Sequence, residues 1–317
     1  MRIIFMGTPD FAVNTLDAIN KAGHEIALVV TQPDKPKGRS GALHMSDVKQ
    51  YAIQHKLEVF QPEKVKTPEA VARLKEYKPE LIVVAAFGQI LSKEILEMPE
   101  HGCINVHASL LPRLRGASPI QSTILEGDKE TGVTIQQMGE GLDTGDIILQ
   151  ESIPIEDSDT GGSLFDKLAE LGAALAVRTI DDIASGRAER TPQDEEKATY
   201  AKKIEKNMGL IDWDKSAEET ERMVRALDPW PSAFTHIDGK MLKIWRAAVV
   251  DQRNGVSASN VDYMPGTVVD VTKDSVTVSC GKGALSLNEV QLEGKKRMAV
   301  HDFLLGYKIS AGTVLGR

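Results

Sequence analysis

Cysteine is almost absent from this chain. Its two cysteines, Cys103 and Cys280, lie far apart, with no Cys-x-x-Cys pair and no nearby pair of histidines. That excludes a disulfide framework and offers no zinc spacing, so no metal is expected and a reducing cytoplasm is. Long apolar runs are missing too. Nothing approaches the ~20 residues that a membrane span needs. The chain opens directly on strand-like Arg2-Ile3-Ile4-Phe5 with no charged-then-apolar leader, so neither export nor a membrane partner is expected.

An excess of positive charge is also lacking. Thirty-eight Lys and Arg against 46 Asp and Glu give a net charge of −8, which argues against a broad nucleic-acid surface. The distribution qualifies this. From Asn207 onward there are fourteen residues of each sign, so the whole deficit falls earlier. Local basic clusters remain at Lys35, Lys37 and Arg39, at Lys202, Lys203 and Lys206, and at Lys295, Lys296 and Arg297. Any one of these, alone, reads as a solvated face.

The dinucleotide fingerprint is missing as well. Gly7-Thr8-Pro9-Asp10-Phe11-Ala12 follows the first strand where Gly-x-Gly-x-x-Gly would stand, and only the first glycine matches. No acidic residue ends the second strand, because Asp34 lies beyond Pro33. NAD binding is not expected. Thr8 is expected instead to cap the helix, with Pro9 at its first position.

What is present is a hydrophobic content of 41% over 317 residues, enough for two domains. Apolar runs at Ile3 to Met6, Glu25 to Thr31, Leu81 to Ala86 and Cys103 to Val106 alternate with amphipathic stretches. This is the pattern of an α/β fold with a doubly wound, mostly parallel sheet. Gly132 to Met138 and Ile147 to Ile155 form a strand pair flanking a loop, and a helix ending near Ala184 closes the domain. Residues 1–187 are read as the first domain and the polar, aperiodic stretch 188–206 as a linker crossing the surface. Residues 207–317 are read as a smaller domain. It has a helix at Ala217 to Leu227, and then short strands with Gly and Asp-Gly turns that suggest a β-barrel of the oligonucleotide-binding (OB-like) type. Trp230, between two prolines, is expected to be a buried turn anchor.

The most informative segment is Asn105-Val106-His107-Ala108-Ser109-Leu110-Leu111-Pro112-Arg113-Leu114-Arg115-Gly116, answered by Leu142-Asp143-Thr144-Gly145-Asp146. Asn105 and His107 are two apart at the end of an apolar run, so in a strand both leave the same face. The carboxyl end of such a strand is where doubly wound sheets bind ligands. If the loop brings Asp143 there, an amide, an imidazole and a carboxylate meet, able to polarise a carbonyl, hold an oxyanion and move a proton. Singly, each has a plainer reading as turn chemistry or packing. Arg113 and Arg115 either hold a substrate carboxylate or phosphate or bridge to local carbonyls. Thr31 to Gly41 is a long loop rich in Pro, Gly and positive charge, a type that is commonly functional.

Together with Met1 to Ala12 and the C-terminal region, these motifs make nearly the whole chain similar to the folate-dependent formyltransferases, and within them to the methionyl-tRNA formyltransferase family. The resemblance implies catalysis by Asn105, His107 and Asp143. It also implies 10-formyltetrahydrofolate as formyl donor, with Ser109, Leu110, Leu111 and Pro112 against the folate. Phe87 and Gly88 either line its pterin pocket by backbone contacts or serve strand-to-helix packing. The resemblance implies methionyl initiator tRNA as the second substrate, its acceptor stem engaged by the loop carrying Lys35, Lys37 and Arg39. Arg39 occupies the family's arginine position, although Ser40-Gly41-Ala42-Leu43-His44 follows where further basic residues often stand. A monomer is expected. An amino-sugar nucleotide formyltransferase shares the same motifs and is the nearest alternative; the basic loop argues against it. A nucleotide-dependent oxidoreductase and a non-catalytic tRNA binder are the other classes opposed by the residues above.

Overall fold

The computed structural model describes residues 1–36, 43–250 and 263–316. The chain divides into two compact units: Met1–Pro119 with Glu130–Pro154 and Phe165–Ala201, and Ile120–Lys129 with Ile155–Leu164 and Lys202–Arg317.

The first unit is built on a seven-stranded sheet of β1 (Arg2–Gly7), β2 (Glu25–Val30), β3 (Val59–Phe60), β4 (Leu81–Ala85), β5 (Cys103–His107), β6 (Glu130–Gln137) and β7 (Ile147–Pro154). Their spatial order is β7-β6-β5-β4-β1-β2-β3. The strands from β3 to β5 are parallel, and β6 and β7 add antiparallel at one edge. The strand order reverses between β1 and β4, which makes this the switch point of a doubly wound sheet. Ile3 to Met6 of β1 and all of β4 are apolar because both faces are covered there, the condition for a parallel sheet.

Gly7 ends β1 for a packing reason. A Cβ there would stand 2.6 Å from the Ala12 Cβ and 3.0 Å from the Ala85 carbonyl oxygen. The helix that follows, α1 (Asp10–Lys21), has Pro9 rather than Thr8 at its N-cap and no side-chain cap. The capping role expected of Thr8 is therefore not the one it plays. Its hydroxyl is spent across the switch point, donating to the Phe87 carbonyl at 3.0 Å.

Alternation along β5 separates its two faces. Val106 points to α2 (Gly161–Ala184), where a side chain on Gly172 would meet the Val106 methyl at 2.8 Å. Cys103, Asn105 and His107 share the opposite face. Cys103 is packed there in a cluster with Ile4, Met6, Ile82 and Val84. Full burial of aliphatic side chains of this size contributes about 1.5–3 kcal/mol each, which fixes the register of β5. Asn105 and His107 are thereby placed at its carboxyl end.

Much of the stretch read as a surface linker is built into this unit. Thr191 exchanges backbone hydrogen bonds with Ile147, and Tyr200–Ala201 pairs in parallel with Arg115–Gly116. Its polar composition supplies hydrogen-bonding groups to neighbouring loops, so no apolar periodicity marks it.

The second unit holds an antiparallel sheet of β8 (Ala233–Ile237), β9 (Lys240–Val249), β10 (Val268–Val271), β11 (Val276–Ser279), β12 (Ala284–Leu292) and β13 (Met298–Ala299). Its order is β8-β9-β12-β11-β10, with β13 on β12. Register shifts within β9–β12 and β10–β11 mark the bulges that bend such a sheet. Helix α3 (Ala217–Ala226) is fixed by a capping box between Ser216 and Glu219. Two earlier segments belong to this unit: Arg222 Nε donates to the Leu125 carbonyl at 3.1 Å, and Arg225 Nη1 to that of Asp159 at 2.9 Å. Trp230 is 56% exposed, not the buried anchor expected. Leu227 and Ala233 on either side fill the core, and Trp213, hydrogen-bonded to Thr235, is the buried indole.

Candidate active site

Asn105, His107 and Asp143 meet at the carboxyl end of β5. His107 is 6% exposed, and its Nδ1 lies 3.6 Å from Asp143 Oδ1. Its Nε2 lies 3.0 Å from the Leu114 carbonyl oxygen. A carbonyl only accepts, so Nε2 carries a proton and Nδ1 is the nitrogen presented to the carboxylate. Asn105 Nδ2 is 3.5 Å from the same Asp143 oxygen.

The Asp143 carboxylate is held on both oxygens. The Gly116 backbone N–H donates to Oδ2 at 2.9 Å, and Gln136 Nε2 donates to Oδ1 at 2.8 Å. Gln136 is a site residue that sequence reasoning missed. It faces Asn105 across the β5–β6 pair, so their side chains share a face. The available signal was Thr134 and Gln136, two polar residues alternating with Val133 and Ile135 in one strand, where all four are buried.

The loop that delivers Asp143 turns sharply. Asp143 itself has φ +52°, the left-handed region that Asp tolerates better than most residues. Gly145 is required sterically: a Cβ there would sit 1.6 Å from the Gln137 carbonyl oxygen. The Gln137 N–H donates to the Asp146 carbonyl at 2.8 Å, closing the loop against the end of β6.

The segment after His107 is an internally bonded turn. The Ser109 hydroxyl donates to the Arg113 carbonyl at 2.7 Å, and Ser109 and Leu111 are buried. Leu110 and Pro112 are half-buried. Thr134 Oγ1 donates to the Ser109 carbonyl at 2.6 Å and accepts from the Leu111 N–H at 3.1 Å, which locks the turn onto β6. Arg115 is fully buried and engaged within the protein, bonded to Glu195 at 2.8 and 2.9 Å and to Gln193 at 2.8 and 3.1 Å. The Glu195 carboxylate raises the Arg115 pKa above its ordinary value, and the guanidinium lowers that of Glu195. Arg115 is therefore a structural cation rather than one held for a substrate.

At the switch point the Phe87 carbonyl accepts from both Thr8 Oγ1 and Gln32 Nε2, each at 3.0 Å, while the Phe87 ring is buried. Gly88 has φ +77°, and a Cβ there would meet Gln32 Nε2 at 2.4 Å. Lys35, exposed, donates to Gln32 Oε1 at 2.6 Å. Lys37 and Arg39 lie outside the described residues. Among the described residues no group of three or more His, Cys, Asp or Glu could hold a metal ion, and no helix is long and apolar enough to cross a membrane.

Comparison with known proteins matches the formyl transferase family over residues 1–180 and the formyl transferase C-terminal domain over residues 203–308. A methionyl-tRNA formyltransferase of Agathobacter rectalis is 53% identical over 99% of this chain and 99% of its own. One from Lachnospira eligens is 52% identical over the full length of both. Among solved structures, an N-formyltransferase from Helicobacter canadensis, determined with folinic acid and dTDP-3-aminofucose, shares the fold at a TM-score of 0.65. It is 22% identical, covering 90% of this chain and 98% of its own. With both parts of the family pattern present and about half of its residues identical to those full-length relatives, the chain belongs to the methionyl-tRNA formyltransferases of the formyl transferase family.

Proposed function

We propose that this protein transfers the formyl group of 10-formyltetrahydrofolate to the free amino group of methionyl initiator tRNA, supplying formylmethionyl-tRNA for translation initiation. It acts in the cytoplasm as a monomer. The observation that carries the reading is the convergence of Asn105, His107 and Asp143 at the carboxyl end of β5, in a chain about half identical to relatives of that name.

The amino nitrogen attacks the formyl carbon, giving a tetrahedral species with a negative oxygen. The bond from that carbon to folate N10 then breaks, the amine loses one proton and N10 gains one. Asn105 supplies a fixed amide donor to the oxyanion, a contact of a kind worth about 10²–10³ in turnover. Asp143, held on two sides by Gly116 and Gln136, takes the proton of the amine, directly or through a water. His107, anchored through Nε2, presents Nδ1 beside that carboxylate. When protonated there, it provides positive charge near the oxyanion and a proton for N10. Such acid–base roles contribute about 10²–10⁴ each.

The folate lies along the turn from Ser109 to Pro112. Because Ser109 and Leu111 face inward, Leu110, Pro112 and the backbone are the groups that meet it. Phe87 and Gly88 border its pterin end. Lys35, Lys37 and Arg39 contact the tRNA, lysine through phosphates and arginine through phosphates or base edges.

The test is transfer of labelled formyl to three acceptors in parallel: methionyl initiator tRNA, methionyl elongator tRNA and an amino-sugar nucleotide. Selective formylation of the initiator is expected. Transfer to the sugar alone would retain the reacting groups and overturn the tRNA assignment. No transfer to any acceptor would overturn the reaction.

A further inference from the structure

The aspartate loop is held by a residue from outside both catalytic motifs. Gln193 Nε2 donates to the Asp143 carbonyl at 2.8 Å and to the Gly145 carbonyl at 2.7 Å. The Oε1 of the same amide accepts from Arg115 Nη2 at 2.8 Å and Nε at 3.1 Å. Two donors and two lone pairs are the full capacity of a carboxamide, and all four are used.

The two ends of this bridge matter. Asp143 is left-handed in its backbone, a conformation that costs a non-glycine residue roughly 1–2 kcal/mol. Its carbonyl and that of Gly145 bracket the turn. Arg115 follows Leu114, whose carbonyl holds His107 Nε2, and precedes Gly116, whose N–H holds the Asp143 carboxylate. One side chain thus ties the loop carrying the carboxylate to the strand segment that orients the imidazole. The tie is itself braced. Glu195 takes the other edge of the Arg115 guanidinium, Thr199 Oγ1 accepts from the Leu114 N–H at 2.9 Å, and the Arg115 N–H donates to the Thr199 carbonyl at 2.9 Å.

We infer that Gln193 is a positioning residue for formyl transfer, setting the distance and angle between Asp143 and His107 through the Asp143–Gly145 backbone. The inference rests on the role proposed above for Asp143. A glutamate at 193 matches the shape and still accepts from Arg115, but it has no donor for the two carbonyls and turns a negative oxygen toward them. An alanine removes both ends of the bridge. Neither change touches the groups proposed to bind folate or tRNA.

The experiment measures steady-state kinetics for both substrates and the thermal midpoint in Gln193→Glu, Gln193→Ala and Asp143→Asn. For both Gln193 variants kcat should fall about 100-fold, the penalty of a small misplacement of reacting groups. The KM for each substrate should stay within about twofold, since the loss lies in the transition state. Both Gln193 variants should melt somewhat below the wild type, because the two carbonyls lose their donor, and remain folded at the assay temperature. Wild-type turnover in Asp143→Asn would overturn the assignment of the reacting groups. Impaired Asp143→Asn together with unchanged kcat in both Gln193 variants would overturn this inference alone, as would a loss confined to KM or matched by unfolding at the assay temperature.

Discussion

His107 Nδ1 lies 3.6 Å from Asp143 Oδ1 while Nε2 of the same ring is tied to the Leu114 carbonyl at 3.0 Å. One nitrogen is committed to the protein and the other to the carboxylate. The orientation of the imidazole is therefore decided before any substrate arrives.

Replacing His107 by alanine should lower kcat by about 10²–10⁴, the usual worth of an acid–base group. Affinity for methionyl initiator tRNA should be nearly unchanged. Single-turnover formyl transfer and a tRNA binding isotherm check this together; wild-type turnover would sink the assignment.

Gly145→Ala should be as damaging as the loss of a reacting group, although its side chain carries no chemistry. The Cβ would overlap the Gln137 carbonyl oxygen, which is backbone and cannot swing away. The loop must move and take Asp143 with it. Turnover measured on variant protein whose folding has been verified by circular dichroism gives the answer, and full activity would show that the loop has slack.

Both cysteines should be silent toward a thiol reagent at pH 8 in the native protein. Burial pushes the Cys103 thiol up to about 12 and that of Cys280 up to about 11. The reactive thiolate is populated only as pH approaches those values, so reactivity should stay negligible below pH 9 and appear for both on unfolding. A stoichiometric fast phase in native protein would contradict the burial of one of them.

Arg39→Ala should weaken discrimination for the initiator over elongator tRNA. It should also reduce the slope of log affinity against log salt by about one, as expected for one lost phosphate contact. Competition binding at several salt concentrations tests this. A change in folate affinity alone would show that the loop serves the other substrate.

Local pattern made much of this molecule legible. The alternation of apolar runs with amphipathic stretches marked β1, β2, β4 and β5, and two-residue spacing put Asn105 and His107 on one face, because side-chain direction in a strand is a local property. Thr8 misled because a hydroxyl before a helix has several partners within reach, and only the adjacency of β1 and β4 makes the Phe87 carbonyl the one it takes. Trp230 misled because its size says that it prefers burial, while its neighbours had already filled the core.

By itself, the sequence determined the main strands β1, β2, β4 and β5 and the face on which the amide and the imidazole stand. Each is set by residues a few positions apart. Only the tertiary structure decided that Gln136 and the polar stretch around Gln193 and Glu195 belong to that same site, and that Arg115 is buried among them. Hydrogen bonds of this kind join groups far apart in the chain. Around Gln193 and Glu195 they leave no periodicity behind, because polar residues that serve a neighbouring loop have the same composition as polar residues that serve only water.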